Sequence, residues 1–257
     1  MFTFRKLLLG EKMRLFMMVV LFVVFVVFST QFVLNQETIT DIILSIVFLS
    51  FVSFFFVLSE VLRYYYRLST KALIVKCDPK LAEHYINIIK KIDIIKGYKN
   101  SILVFYTLMY LDQGKYDELD KHIDQPGFQT SASLKLVYHY NKFYIAVHQN
   151  DLESASSYFK LIQQAYSKNT KKRKTPKTVY SINLITADYY LLKGNLNKAE
   201  QNIKVIDENY LNLREKTYLY ISYAKLYKMK NASQKEQQYL NQAKDISEEL
   251  YHVKHYI

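Results

Sequence analysis

The chain has 257 residues and a formal charge of +12, from 35 Lys and Arg against 23 Asp and Glu. Half of its residues are hydrophobic and 16% are aromatic, too apolar a composition for a disordered chain. Five Gly and three Pro leave little turn chemistry for a hairpin-rich sandwich or a doubly wound sheet, and the single Cys77 excludes an internal disulfide framework and a Cys-based zinc site.

Residues 1–14 form a basic N-terminus with Arg5, Lys6, Lys12 and Arg14 opposed by Glu11. The run 15–34 then carries no charge, and 42–62 carries only Glu60. About 20 helical residues cross a hydrocarbon core, so both runs predict transmembrane helices. The first is too long for a signal-peptide core and lacks a small-residue cleavage site. Between them, residues 35–41 hold Glu37 and Asp41 and no positive charge, whereas Arg63, Arg67, Lys71 and Lys76 follow the second run. The positive-inside rule makes this a hairpin in the cell membrane with both termini cytoplasmic and a short external loop. Tyr64, Tyr65 and Tyr66 suit either the inner interface or the start of a packed helix. Glu60, one turn from Arg63, is expected to pair with it at the inner boundary. The lone thiol fits a reducing cytosol.

Residues 63–99 read as a juxtamembrane segment and the first helices, and 100–257 as helical repeats. Asp78 before Pro79 predicts an N-cap followed by Pro at the first helical position. Leu81, Tyr85, Ile88, Ile89, Ile92 and Ile95 keep helical spacing, and Gly97 is the expected stop. Three segments then align, 106–119, 144–155 and 187–200, with a weaker fourth at 224–237. Thr107, Tyr110, Gly114, Tyr116 and Leu119 of the first unit match Ala187, Tyr190, Gly194, Leu196 and Ala199 of the third. Asn150, Leu152, Ala155 and Phe159 fit in the second, where Phe143 takes the place of a small residue. Ala224, Tyr227, Asn231 and Leu240 fit in the fourth, where Glu236 takes the Ala position. Small residues let helices approach, aromatics fill the gap between pairs, and Gly or Asn permits the positive φ that ends a helix.

This pattern resembles the tetratricopeptide repeat family, whose period is about 34 residues. The resemblance implies an all-α architecture: the transmembrane hairpin, then an α-solenoid of about four helix pairs. It also implies a concave, partner-binding groove lined by the first helices. Carried onto this chain, the groove candidates are Val104, Leu108, Tyr140, Tyr144, Leu184, Asp188, Ile221 and Lys225. They are mainly apolar, which disfavours the family's carboxylate-clamping groove.

The turn positions Asn150 and Gly194 are 44 apart, and the excess includes the basic segment Lys168, Lys171, Lys172, Arg173, Lys174 and Lys177. It is expected to be an exposed connection. Three readings stay open for it: a plain solvated loop, contact with anionic lipid or an acidic partner, and nucleic acid as the least favoured. Asp112, Asp117, Glu118, Asp120 and Asp124 read as a solvated acidic surface, and His252 and His255 as surface histidines.

No phosphate-cradling glycine loop, zinc-protease motif or nucleophile elbow is present. No catalytic residue, metal or cofactor is therefore expected, and the chain reads as a non-enzyme. Lys outnumbers Arg 29 to 6, a composition that suggests an AT-rich bacterium. The favoured function is a membrane-anchored scaffold whose cytoplasmic repeats engage a protein or peptide. The alternative is a regulatory sensor whose repeats bind a signalling peptide and control a partner protein.

Overall fold

The computed structural model describes residues 4–170 and 181–256, and among these the chain is helical, with no strand. It divides into two compact units, Met1–Tyr64 and Tyr65–Ile257.

In the first unit, α1 (Phe4–Leu34) is followed by α2 (Ile39–Ile74), whose later part belongs to the second unit. Thr38 starts α2: its hydroxyl accepts from the Asp41 N–H at 3.2 Å and donates to the Asp41 carboxylate at 2.6 Å. The two helices lie antiparallel, with Phe22 stacked 6.2 Å from Phe56 and Arg14 paired with Glu60 at 3.1 Å. Arg63 also holds Glu60, at 2.8 Å, so this carboxylate is paired as expected and with a second partner besides. Both helices are long and apolar enough to cross a membrane, and no residue of Phe16–Leu34 is buried. Phe16, Phe28, Phe48 and Phe51 are exposed around the pair, so the apolar side chains of this first unit are not gathered into a core.

In the second unit, α3 (Pro79–Ile92) starts where Asp78 accepts a hydrogen bond from Leu81 N–H at 2.9 Å. It ends earlier than the expected stop at Gly97. The Asp93 carboxylate accepts from the N–H groups of Gly97 and Tyr98, folding 93–98 into a loop. Ile95 therefore leaves the apolar face of the helix and is exposed.

Four helical hairpins follow: α4 (Lys99–Gln113) with α5 (Tyr116–Ile123), α6 (Ala132–His148) with α7 (Leu152–Thr170), α8 (Ile182–Leu192) with α9 (Leu196–Lys204), and α10 (Leu213–Met229) with α11 (Ser233–Ile246). The short helix α12 (Tyr251–Lys254) closes the described chain. Each second helix packs on the next hairpin: α5 on α6, α7 on α8 and α9 on α10. Side-chain caps fix the starts. Ser131, Ser181 and Asn195 accept from the N–H three residues on, and Asn212 forms a reciprocal capping box with Glu215. The core between the helices includes Ile86, Met109, Leu119, Phe143, Ile162, Ile185 and Ile203, all fully buried.

Candidate functional site

The four hairpins share one turn. Gly114, Asn150, Gly194 and Asn231 have φ of 69°, 55°, 73° and 56°, the left-handed region that glycine and asparagine reach at least cost. In each, the N–H after the turn residue donates back to a first-helix carbonyl: Lys115 to Tyr110, Asp151 to Ala146, Asn195 to Tyr190 and Ala232 to Tyr227. The turn residue itself donates to the carbonyl of Leu111, Val147, Leu191 or Lys228. This paired arrangement satisfies carbonyls that the helix end would otherwise leave open. Thr107, Phe143, Ala187 and Ala224, about two helical turns before these turn residues, are wholly buried, as are Leu119, Ala155 and Ala199 in the second helices. Tyr110 and Tyr190 are half-buried and Tyr227 is buried. The residues matched in sequence thus occupy equivalent positions in their hairpins.

The candidate groove residues separate into two groups. Leu108, Tyr140, Leu184 and Ile221 are buried within the helix array and offer little surface to a ligand. Val104, Tyr144 and Asp188 are partly exposed, and Lys225 is exposed. Ile221 is packed among Cys77, Leu250 and Val253, Leu184 among Ala199, Ile203 and Leu219, and Tyr140 donates to the Tyr166 hydroxyl of α7. An ion pair also joins α4 to α10. Arg214 Nε and Nη2 donate to the Asp112 carboxylate at 2.6 and 2.8 Å, and Tyr218 donates to it at 2.6 Å. Asp112 has no exposed surface, which corrects its assignment to a solvated acidic patch. Asp120 and Asp124 of that patch pair with Lys142 at 2.7 and 3.0 Å.

Alongside this ion pair, α12 lies against α4 and α10. Leu250 and Val253 are buried with Cys77, Ile221 and Ala224, and Ser247 donates to the Cys77 carbonyl. His252, expected at the surface, sits among Tyr116, Tyr218 and Tyr251, with its Nε2 3.3 Å from the Tyr116 hydroxyl. Its partner in the sequence pattern, His255, is exposed. Burial and the nearby charges of Lys225, His148 and Arg214 push the His252 imidazole down to about 3. Burial and the Asp112 charge push the Cys77 thiol up to about 11, so it is a poor nucleophile near neutrality. Asp188 accepts from Ser222 at 2.8 Å, and burial raises its carboxyl to about 6 against the pull of Lys225.

Next to Arg214 is a crevice of about 30 Å³ whose lining includes Leu111, Tyr144, Leu184, Leu211, Tyr218 and Leu219. Its volume admits about two water molecules. Among the described residues no group of three or more His, Cys, Asp or Glu is placed to hold a metal. In the basic segment Lys168 lies in α7 without a described side chain, and Lys171, Lys172, Arg173, Lys174 and Lys177 fall outside the described residues.

The Asp112–Arg214 pair was invisible in sequence because two ordinary charged residues 102 positions apart carry no local signal. The positive-φ turns were visible because Gly and Asn are the residues that tolerate them. Comparison of the chain with family models, curated proteins and solved structures finds no match.

Proposed function

We propose that the chain is a membrane-anchored scaffold. Two helices cross the bilayer as a hairpin with both termini in the cytoplasm, and the second unit is a tetratricopeptide-like solenoid of four helix pairs that engages a protein partner. The observation that carries this reading is the fourfold recurrence of one turn, at Gly114, Asn150, Gly194 and Asn231, with a buried residue about two helical turns before each. Repetition of a supersecondary unit in register is the signature of repeat architectures, which serve binding more often than catalysis. The anchor is supported by the exposed apolar girth of α1 and of α2 up to Tyr64, and by basic residues flanking both runs. The partner face in this reading is the accessible remainder of the inner surface, Val104, Tyr144, Asp188 and Lys225, beside the apolar crevice. The basic segment 168–177 adds a site for an acidic partner or anionic lipid.

The test is photocrosslinking in intact membranes from a benzophenone amino acid placed at Tyr144 or Lys225, with exposed Lys160 on α7 as control. A discrete protein adduct from the first two positions and none from Lys160 supports the reading. Adducts from Lys160 alone relocate the partner surface, and no adduct from any position argues against a scaffold.

A further inference from the structure

The loop that ends α3 has a composition and a position that the repeat reading does not use. Ile94 and Ile95 are adjacent and 62% and 64% exposed, although solitary exposed aliphatics are the ordinary case on a protein surface. They do not dangle. Asp93 accepts from Gly97 N–H at 3.0 Å and Tyr98 N–H at 2.8 Å, and Lys96 donates to the Asp93 carbonyl from a left-handed conformation with φ of 58°. The backbone is thus folded so that the two isoleucines stand out at its tip. Lys90, Lys91, Lys96 and Lys99 surround them in sequence and are all exposed, while the one acid, Asp93, is occupied with the loop's own N–H groups. An apolar tip flanked in the chain by exposed lysines matches the layered chemistry of an anionic bilayer, with acyl chains beneath phosphates.

The loop is also tied to the stretch of chain that follows the second apolar run. The Tyr98 ring packs 5.2 Å from Tyr66, and Tyr85 of α3 lies 6.3 Å from Tyr65. Tyr66 is four residues beyond Leu62, so chain length alone keeps it within about 14 Å of the end of that run.

We propose that residues 93–98 form a lipid-contacting surface, in which Ile94 and Ile95 enter the headgroup–acyl boundary of an anionic bilayer and Lys90, Lys91, Lys96 and Lys99 meet its phosphates. This rests on the membrane anchoring proposed above and lies apart from the basic segment 168–177.

The test uses the full chain in vesicles of phosphatidylcholine and phosphatidylglycerol. An environment-sensitive fluorophore is attached through Ile95→Cys, or through Gln149→Cys as an exposed control, and the parent protein, whose Cys77 is buried, serves as the labelling blank. The label at 95 is expected to emit at shorter wavelength and to be quenched by headgroup-proximal spin-labelled lipid about twofold or more beyond the control. Changing the four lysines to Gln should remove most of that difference. Vesicle flotation after an alkaline wash is measured on the same samples. A chain that floats while its label at 95 behaves like the control overturns the loop contact and leaves the anchor standing. A shifted label that spin-labelled lipid does not quench is covered by protein, which also overturns it. A chain that does not float overturns the anchor and the loop contact together.

Discussion

A carboxylate with no exposed surface must be paired or neutral, and Asp112 is paired. Its two oxygens accept three hydrogen bonds from Arg214 and Tyr218, and the Arg214 guanidinium lies 4.9 Å above the Tyr218 ring. Removing one member of a buried pair strands the other charge, at about 3–5 kcal/mol, whereas replacing both by apolar groups can be neutral. Asp112→Asn should therefore lower the stability of the full chain in detergent by roughly that amount, and Asp112→Leu with Arg214→Met by much less. Denaturant titration measures both, and a harmless single change would remove the pair from the account. The acid range tests two further groups. The folded state holds His252 neutral down to about pH 3, while the unfolded chain takes up its proton near 6.5. Its contribution is complete above about pH 6.5 and declines toward 3, so acidification destabilises through this residue. Asp188 acts in the opposite sense. Its raised value of about 6 favours the protonated folded state, a gain that fades as pH rises through 6. His252→Gln should flatten the fall in melting temperature between pH 7 and 5. Asp188→Asn should gain on the native protein as pH rises from 5 to 7.5. A pH-independent difference for either variant contradicts the desolvation of that partly buried side chain.

At the level of helices and turns, two glycines with the same conformation meet different surroundings. Gly114 and Gly194 both have positive φ, but a Cβ on Gly114 would clash with the Tyr251 ring, and one on Gly194 would meet nothing within 4 Å. Gly194→Ala should cost only the left-handed penalty of about 1–2 kcal/mol. Gly114→Ala should cost more, and Tyr251→Ala should recover part of the excess. Thermal unfolding of the four proteins decides whether α12 packs on the first hairpin, and equal costs at the two glycines would say that it does not. Ala187→Leu or Ala199→Leu should cost about 1–3 kcal/mol through overpacking. These elements also mark how far the sequence could be read. Turns at Gly114, Asn150, Gly194 and Asn231 were legible because the required backbone conformation selects few residue types. The end of α3 was misplaced because Asp93, an ordinary side chain in the pattern, caps the loop that Gly97 was expected to begin. The burial of Leu108, Tyr140, Leu184 and Ile221 was not legible either. Apolar inner-face residues look alike whether they meet a ligand or one another, and the contacts that bury Leu184 and Ile221, with Leu219 and with Cys77, Leu250 and Val253, are non-local.

For the molecule as a whole, the proposed anchor turns on a change in apolar exposure along the chain. Residues 16–34 and most of 42–61 expose apolar side chains around the helix, and from Asp78 onward the α-helices bury one face against another. Exposing the first set to water would forfeit about 25 cal/mol for each Å² of apolar surface, which a bilayer avoids. In the proposed hairpin, the basic residues before the first run and after the second would set the sidedness, and with it the compartment of the second unit. The most direct measurement is a pair of reporter fusions in living cells, using an enzyme active only outside the cytoplasm. Inserted between Asn35 and Thr40 it should be active, and attached after Ile257 it should be silent. Activity after Ile257 with silence between Asn35 and Thr40 would contradict the hairpin and the cytoplasmic scaffold built on it.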